Sequence, residues 1–269
     1  MVGIRATTAT LDRMASGGEQ FDFDYLIIGS GFGGSVSALR LAEKGYSVGV
    51  IERGRRWRTE DFPKTNWNLR KFLWAPMVRC FGIQAITVLR DVMILHGCGV
   101  GGGSLVYANT LLIPPDRVFD DPRWRALGNW KHDLAPHYAT AQRMLGVTTA
   151  ICPTETDHML REIAVEMGRG DSVHPTQVGV YFGEPGRTVP DPYFGGRGPD
   201  RAGCTTCGGC MVGCRHNAKN TLDKNYLYLA EGLGAEVIAE SEVLDIRELP
   251  GGGYEVETRK ITDWLFTRR

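Results

Sequence analysis

The segment Asp24-Tyr25-Leu26-Ile27-Ile28-Gly29-Ser30-Gly31-Phe32-Gly33-Gly34 decides the fold, because it joins a short apolar run to a glycine-rich turn. An apolar run stopped by glycine is typical of a buried parallel strand. Residues 35–44 then place apolar side chains at helical spacing, and a second apolar run follows at 48–51. The order strand, glycine turn, helix, strand predicts one βαβ unit of an α/β fold with a parallel sheet.

The glycine turn matches the dinucleotide-binding pattern G-x-G-x-x-G at Gly29, Gly31 and Gly34. Such a turn needs positive φ angles and a close approach of the backbone to a pyrophosphate, which the N–H groups at the helix N-terminus then bind. Glu52 ends the second strand about twenty residues later, where a carboxylate binds a ribose 2′-hydroxyl and repels a 2′-phosphate. The pattern therefore predicts a Rossmann-like domain that binds FAD or NAD in preference to NADP.

The composition excludes several other classes of protein. Lys+Arg and Asp+Glu both count 31, so the formal net charge is zero and no global field attracts nucleic acid or anionic lipid. The first twenty residues contain no apolar region of the kind found in secretory signals, and no apolar run is long enough to span a bilayer. We therefore expect no nucleic-acid partner, at most peripheral contact with a membrane, and a cytoplasmic location.

A second glycine cluster, residues 96–106, places five glycines within the seven positions 97–103. This cluster closely resembles the second flavin-contacting loop of the glucose-methanol-choline (GMC) oxidoreductase family, and within that family the cholesterol oxidase branch. The resemblance includes residues 35–41 and 218–227 and runs over most of residues 21–247. It implies a two-dinucleotide-fold FAD-binding domain interrupted by part of a substrate-binding domain.

The resemblance also implies where FAD binds. The first glycine turn would line the pyrophosphate, Glu52 the ribose, the second glycine cluster the flavin, and the backbone of Val243 the adenine. One departure concerns the segment after Ser-Leu-Val, where the family often has Asn but this chain has Tyr107, with Asn109 two positions later. The candidate cofactor-binding residues are Gly29, Gly31, Phe32, Gly33, Gly34, Glu52, Gly97, Gly101, Gly102, Gly103, Ser104, Tyr107, Asn109 and Val243.

The activity implied by the resemblance is hydride transfer from an alcohol carbon to the flavin, followed by reoxidation, with dioxygen as the favoured acceptor. The expected substrate is a 3β-hydroxysteroid such as cholesterol, with another bulky alcohol as the alternative. In this family the catalytic His and its His or Asn partner lie in the C-terminal half, so we expect them beyond residue 269. The chain is therefore expected to be a truncated form that is inactive alone.

The same reasoning divides the chain into four parts. Residues 1–20 are small, polar and aperiodic, and are predicted to be a disordered extension. Residues 21–118 form the first part of the FAD-binding domain, residues 119–215 an inserted substrate-domain piece with a cysteine-rich loop, and residues 216–269 the second, incomplete part of the FAD-binding domain.

Four cysteines, Cys204, Cys207, Cys210 and Cys214, have the spacing of a ferredoxin-type run that holds a 4Fe–4S cluster. Four thiolates so close together also suit tetrahedral zinc, whereas Arg215 stands where the ferredoxin run has proline. Free thiols or local disulfides remain the alternative. A cluster would favour an electron-transfer dehydrogenase as a rival function, and an inactive nucleotide-binding remnant is the other rival.

Overall fold

The computed structural model describes residues 4–6, 21–151 and 153–261. Within them the strands are β1 (Ile4–Ala6), β2 (Tyr25–Ile28), β3 (Val48–Ile51), β4 (Trp74–Ala75), β5 (Cys80–Phe81), β6 (Gln84–Val88), β7 (Met93–Gly97), β8 (Thr148–Thr149), β9 (Gln177–Val178), β10 (Thr188–Val189), β11 (Arg201–Ala202), β12 (Glu236–Ile238), β13 (Ser241–Glu248) and β14 (Tyr254–Lys260). The α-helices are α1 (Phe32–Ala42), α2 (Leu69–Phe72), α3 (Asp116–Phe119), α4 (Pro122–Arg125), α5 (Trp130–Met144), α6 (Glu155–Glu166) and α7 (Tyr226–Gly232). Single 3₁₀ turns lie at Thr59–Asp61, Pro76–Val78, Gly102–Leu105, Gly170–Ser172, Cys210–Val212 and Leu222–Lys224. No helix in these ranges has the length and apolar character needed to cross a membrane.

The sheet that carries the first glycine turn is parallel and has the strand order β12-β3-β2. Val50 in the central strand pairs with Ile27 on one side and Val237 on the other. All four residues of β3 are buried, as predicted, but β2 is only half-buried and Ile28 is 52% exposed. The expectation of a buried first strand was therefore wrong, because β2 lies at the edge of this sheet.

One hydrophobic core packs the strands and the helix of this βαβ unit together. Leu39 of α1, Val50 of β3 and Leu227 of α7 are almost fully buried in it, and Met144 and Leu145 at the end of α5 join it. The core therefore draws on both predicted parts of the dinucleotide-binding domain and on the segment between them. Its buried members are Ala38, Leu39, Ala42, Val48, Val50, Val100, Met144, Leu145, Leu222, Tyr226, Leu227, Ala230 and Ala235.

A second sheet, with the order β1-β14-β13, contains the predicted hairpin near the end of the described chain. Strands β13 and β14 are antiparallel, and β1 pairs with β14 in parallel orientation. The predicted extension at 1–20 therefore differs from the structure at Ile4–Ala6, and the other residues of 1–20 lie outside the described ranges.

Helix α7 begins only at Tyr226. The residues before it make tertiary hydrogen bonds that are incompatible with a continuous helix. Asn220 N donates to Gly179 O at 2.9 Å, and Leu222 N donates to Ser104 Oγ at 3.0 Å. This segment is thereby attached to the second glycine loop.

Candidate functional site

The N-terminus of α1 opens towards solvent and has the form of an anion-binding site. Gly29 has a φ of +91°, and a Cβ at Gly34 would overlap the Gly29 carbonyl oxygen, so both positions require glycine. Gly31 is the N-cap, makes no side-chain capping bond, and the first helical turn contains no acidic residue. The N–H groups of that turn therefore remain available to an anionic ligand.

The second glycine loop lies directly against this turn. A Cβ at Gly102 would come within 2.7 Å of Gly31 Cα, and a Cβ at Gly97 would overlap the carbonyl of Gly102. Gly101 has a φ of +105°, which side chains rarely adopt. The two glycine-rich segments, about 70 residues apart in sequence, can pack backbone against backbone because side chains are absent from both.

Glu52 holds the two segments together. Its side chain is buried, and its Oε2 accepts hydrogen bonds from Ser30 N at 3.1 Å and Ser30 Oγ at 2.7 Å. Its Oε1 accepts from Gly54 N at 2.9 Å and from Gly99 N at 3.3 Å. A carboxylate offers about four lone-pair positions, so these four hydrogen bonds use most of its capacity to accept the ribose hydroxyl that was predicted to bind there. The sequence does not predict this structural role of Glu52, because its hydrogen-bond partners come from three separate segments.

A cavity of about 760 Å³ lies between the first turn, the second loop and the start of β13. The predicted cofactor residues that line it are Gly29, Gly31, Phe32, Glu52, Gly97, Gly102, Gly103, Tyr107 and Val243. The predicted residues that are not among its lining residues are Gly33, Gly34, Gly101, Ser104 and Asn109. The lining residues that the sequence reasoning missed are Ile28, Ile51, Arg53, Gln84, Leu95, His96, Val106, Met211, Ser241 and Glu242.

Ser104 and Asn109, which are not among the lining residues, are both buried, and Ser104 stabilises the second loop. Ser104 is fully buried; its Oγ donates to Gly101 O at 2.7 Å and accepts from Leu222 N at 3.0 Å. Asn109 is buried in a left-handed conformation, with φ of +66°, and its Oδ1 has no hydrogen-bond partner within the described residues. The Ser104 hydroxyl thus connects the second loop to the segment before α7, with its hydrogen and one of its two lone pairs in use.

Aromatic rings form one side of the cavity. Phe32 and Tyr107 meet edge to face, with ring centroids 5.9 Å apart. Burial raises the pKa of the Tyr107 phenol above its usual range, so the hydroxyl stays protonated at neutral pH, and it donates to Asn220 O at 3.3 Å. This wall therefore offers an apolar surface to a flat ring system.

Arg53 and His96 bring polar groups to the cavity rim. His96 Nε2 lies 3.0 Å from Thr87 Oγ1, across the β6–β7 hairpin. Burial raises the pKa of the neighbouring Cys98 thiol to about 12, and the Arg53 cation opposes the shift only in part. Cys98 is therefore a neutral buried thiol and not a nucleophile. Arg53 follows Glu52 directly at the strand end, a position from which its place at the site was predictable.

The four clustered cysteines do not form the metal centre that their spacing predicts. Among the described side chains, no group of three or more His, Cys, Asp or Glu is placed to hold a metal ion. Cys204 Sγ accepts a hydrogen bond from Thr206 N, and Cys214 Sγ from Ala218 N, each at 3.4 Å, while Cys207 is exposed. Two of the four thiols thus accept hydrogen bonds from backbone N–H groups, the iron–sulfur and zinc interpretations lose their support, and the free-thiol alternative fits.

Comparison with known proteins bears out the resemblance. Residues 27–66 match the family model described as an NAD(P)-binding Rossmann-like domain. The chain is 58% identical over 249 residues to cholesterol oxidase from Mycobacterium tuberculosis. This alignment covers 91% of the chain and 43% of the relative. It is 52% identical over 258 residues to cholesterol oxidase from Acinetobacter baumannii, an alignment that covers 93% of this chain and 46% of the relative. It is 31% identical over 241 residues to a GMC-type oxidoreductase of M. tuberculosis, an alignment that covers 88% of this chain and 34% of the relative. The chain belongs to the GMC oxidoreductase family.

This GMC chain spans less than half the length of the curated relatives it matches. Among solved structures, it superposes on pyridoxine 4-oxidase from Mesorbium loti with a TM-score of 0.53 at 14% identity, covering 87% of this chain and 45% of that one. At this identity the superposition shows the fold alone. The Rossmann-like α/β fold predicted from residues 24–52 is thereby confirmed.

Proposed function

We propose that this chain binds FAD in the cavity between the two glycine segments, as the cofactor-binding part of an enzyme that oxidises the CH–OH group of an alcohol. The observation that carries the proposal is the contact of Gly102 with Gly31 beside the open N-terminus of α1, in a chain of the GMC family. A cofactor at this place meets both an anion-binding helix end and a second loop able to contact a ring system.

The charges and shape of the cavity favour FAD among dinucleotides. The Glu52 carboxylate at the wall repels the 2′-phosphate of NADP. The pyrophosphate would lie at the N–H groups of the first turn of α1, with the adenosine end towards Val243 and the flavin end towards Gly103 and Tyr107. The preference for FAD over NAD rests on the similarity to GMC-type oxidoreductases, in which case the isoalloxazine ring would lie against this second surface.

The residues that line the cavity would bind, orient and shield FAD, which would supply the hydride-accepting chemistry for oxidation of the CH–OH group. The wall formed by Phe32 and Tyr107 presents apolar surface to the ring and excludes water from it. The relatives named cholesterol oxidase support a 3β-hydroxysteroid such as cholesterol as the substrate class and dioxygen as the electron acceptor.

Cofactor choice is tested by equilibrium dialysis of the purified chain against FAD, NAD and NADP. The proposal expects saturable 1:1 binding of FAD, weaker binding of NAD and the weakest binding of NADP. Equal binding of FAD and NADP would show that neither Glu52 nor the second loop selects the ligand.

Substrate class is tested separately, with the FAD-loaded protein under anaerobic conditions. Cholesterol in detergent micelles and a long-chain primary alcohol in the same micelles are titrated into it, and the shift of the visible flavin band on binding is followed, a readout that needs no turnover. Tighter binding of cholesterol supports the sterol assignment. Tighter binding of the primary alcohol overturns that assignment and leaves an alcohol as the substrate class.

A further inference from the structure

Lys219 is a buried cation that joins the second glycine loop to the cysteine-rich loop. Its side chain is only 1% exposed, and its Nζ donates to Leu105 O at 3.0 Å, to Tyr107 O at 2.7 Å and to Cys210 O at 2.9 Å. An ammonium group has three N–H donors, so all of them are used. These three bonds connect segments that lie up to 114 residues apart in sequence.

Burial of this ammonium group is costly, which indicates that its position serves a purpose. Burial is the main cause that lowers the pKa of Lys219, to about 7, and the bonded partners are neutral carbonyl groups. The Nζ also lies 4.7 Å from the centroid of the Tyr107 ring, at a distance that allows a cation–π contact. An apolar side chain of similar length would fill the same space without the desolvation cost, but it would leave three carbonyl groups without donors.

The two loops that Lys219 joins both line the cofactor cavity and form two of its walls. Leu105 and Tyr107 flank Val106, and both Val106 and Tyr107 line the cavity. Cys210 precedes Met211, which lines the cavity from the cysteine-rich loop. One ammonium group therefore sets the separation of both walls.

The backbone of Lys219 is itself held in place. Arg201 Nη2 donates to Lys219 O at 2.7 Å, and Arg201 Nη1 donates to Asn220 Oδ1 at 2.6 Å. Asn220 Nδ2 donates in turn to Leu145 O at 3.0 Å. The ammonium group thus extends from a braced backbone into the gap between the loops, as is required of a residue that fixes geometry.

We propose that Lys219 is a positioning residue for the flavin end of FAD, because it holds the 102–107 loop and the cysteine-rich loop at the separation that the isoalloxazine ring requires. This inference rests on the proposed function. It assigns to the cysteine-rich loop a role that needs no metal: the loop supplies Met211 as one wall of the cofactor cavity, and Lys219 fixes that wall.

The test compares FAD with ADP, which shares the pyrophosphate and adenosine but lacks the flavin. In Lys219→Met, the inference expects an FAD dissociation constant raised on the order of tenfold and an ADP dissociation constant unchanged. The matched control is Lys224→Met, which removes the same charge five residues later, from a half-buried lysine that has no hydrogen bond to residues 102–107 within the described chain. It is expected to leave both constants unchanged.

Three results would overturn the inference. Equal loss of FAD and ADP binding in Lys219→Met would assign the lysine to general stability, and unchanged FAD binding would show that it does not position the flavin end. Failure of the unmodified chain to bind FAD would overturn the proposed function itself, a result distinguishable from the other two because it needs no variant.

A second measurement on the unmodified chain does not depend on the stability of a variant. If the cysteine-rich loop is a wall of the flavin end, FAD slows alkylation of Cys207 and Cys210 by iodoacetamide, whereas ADP does not. Equal alkylation rates with FAD and with ADP would contradict the inference.

Discussion

Replacement of Gly31 by aspartate separates the stability of the fold from the binding of the cofactor. Gly31 has extended backbone angles, φ −70° and ψ −166°, and a Cβ there would have no atom within 4 Å, so a side chain can be added there without a clash at its Cβ. An aspartate at this N-cap would accept a hydrogen bond from the first turn of α1 and interact favourably with the helix dipole. We expect the free energy of unfolding to rise by about 0.5–1 kcal/mol.

The same carboxylate would face the pyrophosphate of a bound dinucleotide. At a separation of about 4 Å and an effective dielectric constant of about 20, repulsion between unit charges is about 4 kcal/mol, and partial solvent exposure reduces it towards about 2 kcal/mol. The expected loss of FAD affinity is therefore roughly 30- to 1000-fold. Stability and affinity should thus change in opposite directions.

Urea denaturation of the ligand-free protein and titration of FAD by quenching of flavin fluorescence measure the two quantities. Gly31→Asn is the matched control, because it has the same shape and also caps the helix but carries no charge. If Gly31→Asp binds FAD as tightly as Gly31→Asn does, the pyrophosphate does not lie at the N-terminus of α1.

Three further predictions concern stability. Gly34→Ala should lower the free energy of unfolding by about 3 kcal/mol, because its Cβ would overlap Gly29 O. Gly33→Ala, with open space around the new Cβ, should not lower it. Equal urea midpoints for the two variants would contradict this prediction. Glu52→Gln should cost about 2–4 kcal/mol in the same assay, because an amide group would face backbone donors, and a cost below about 0.5 kcal/mol would show that its four hydrogen bonds do not hold the two glycine segments together. Burial alone would raise the pKa of Asp191, but four backbone N–H donors of its loop lower it below 3.8. The stability that this carboxylate contributes is thus present above pH 3.8 and is lost as the pH falls through its lower folded-state pKa. Asp191→Ala should therefore melt at a lower temperature than the unmodified chain at neutral pH, and the difference between the two melting temperatures should narrow on acidification. A difference that is constant with pH would show that the Asp191 carboxylate does not stabilise its loop in this way.

The parts of the fold that could be predicted from the sequence are those encoded by short segments. The strand at 48–51 coincides with β3, because an apolar run between the polar residues Ser47 and Glu52 fixes its bounds locally. Helix α5 is harder to predict, because Pro136, a residue type that favours a helix break, lies inside it. A proline in the second turn of a helix removes a single hydrogen bond, which the capping Asn129 and the tertiary contacts of α5 outweigh.

The parts of the site that could not be predicted depend on contacts between distant segments. The bonds of Lys219 to Leu105 and Tyr107 span more than 110 residues, and no local pattern encodes them. Cysteine spacing, in contrast, was a strong local pattern that misled, because spacing does not determine where the sulfur atoms point. In the structure, Thr206 at φ +53° bends the loop so that its N–H binds Cys204 Sγ.

A crystal structure of the chain grown with FAD would show directly whether FAD occupies the cavity between the two glycine segments. We expect electron density for the pyrophosphate at the N–H groups of the first turn of α1, with the isoalloxazine ring beside Gly103 and Tyr107. Density for FAD elsewhere on the chain, or an empty cavity in a crystal grown at saturating FAD, would contradict it.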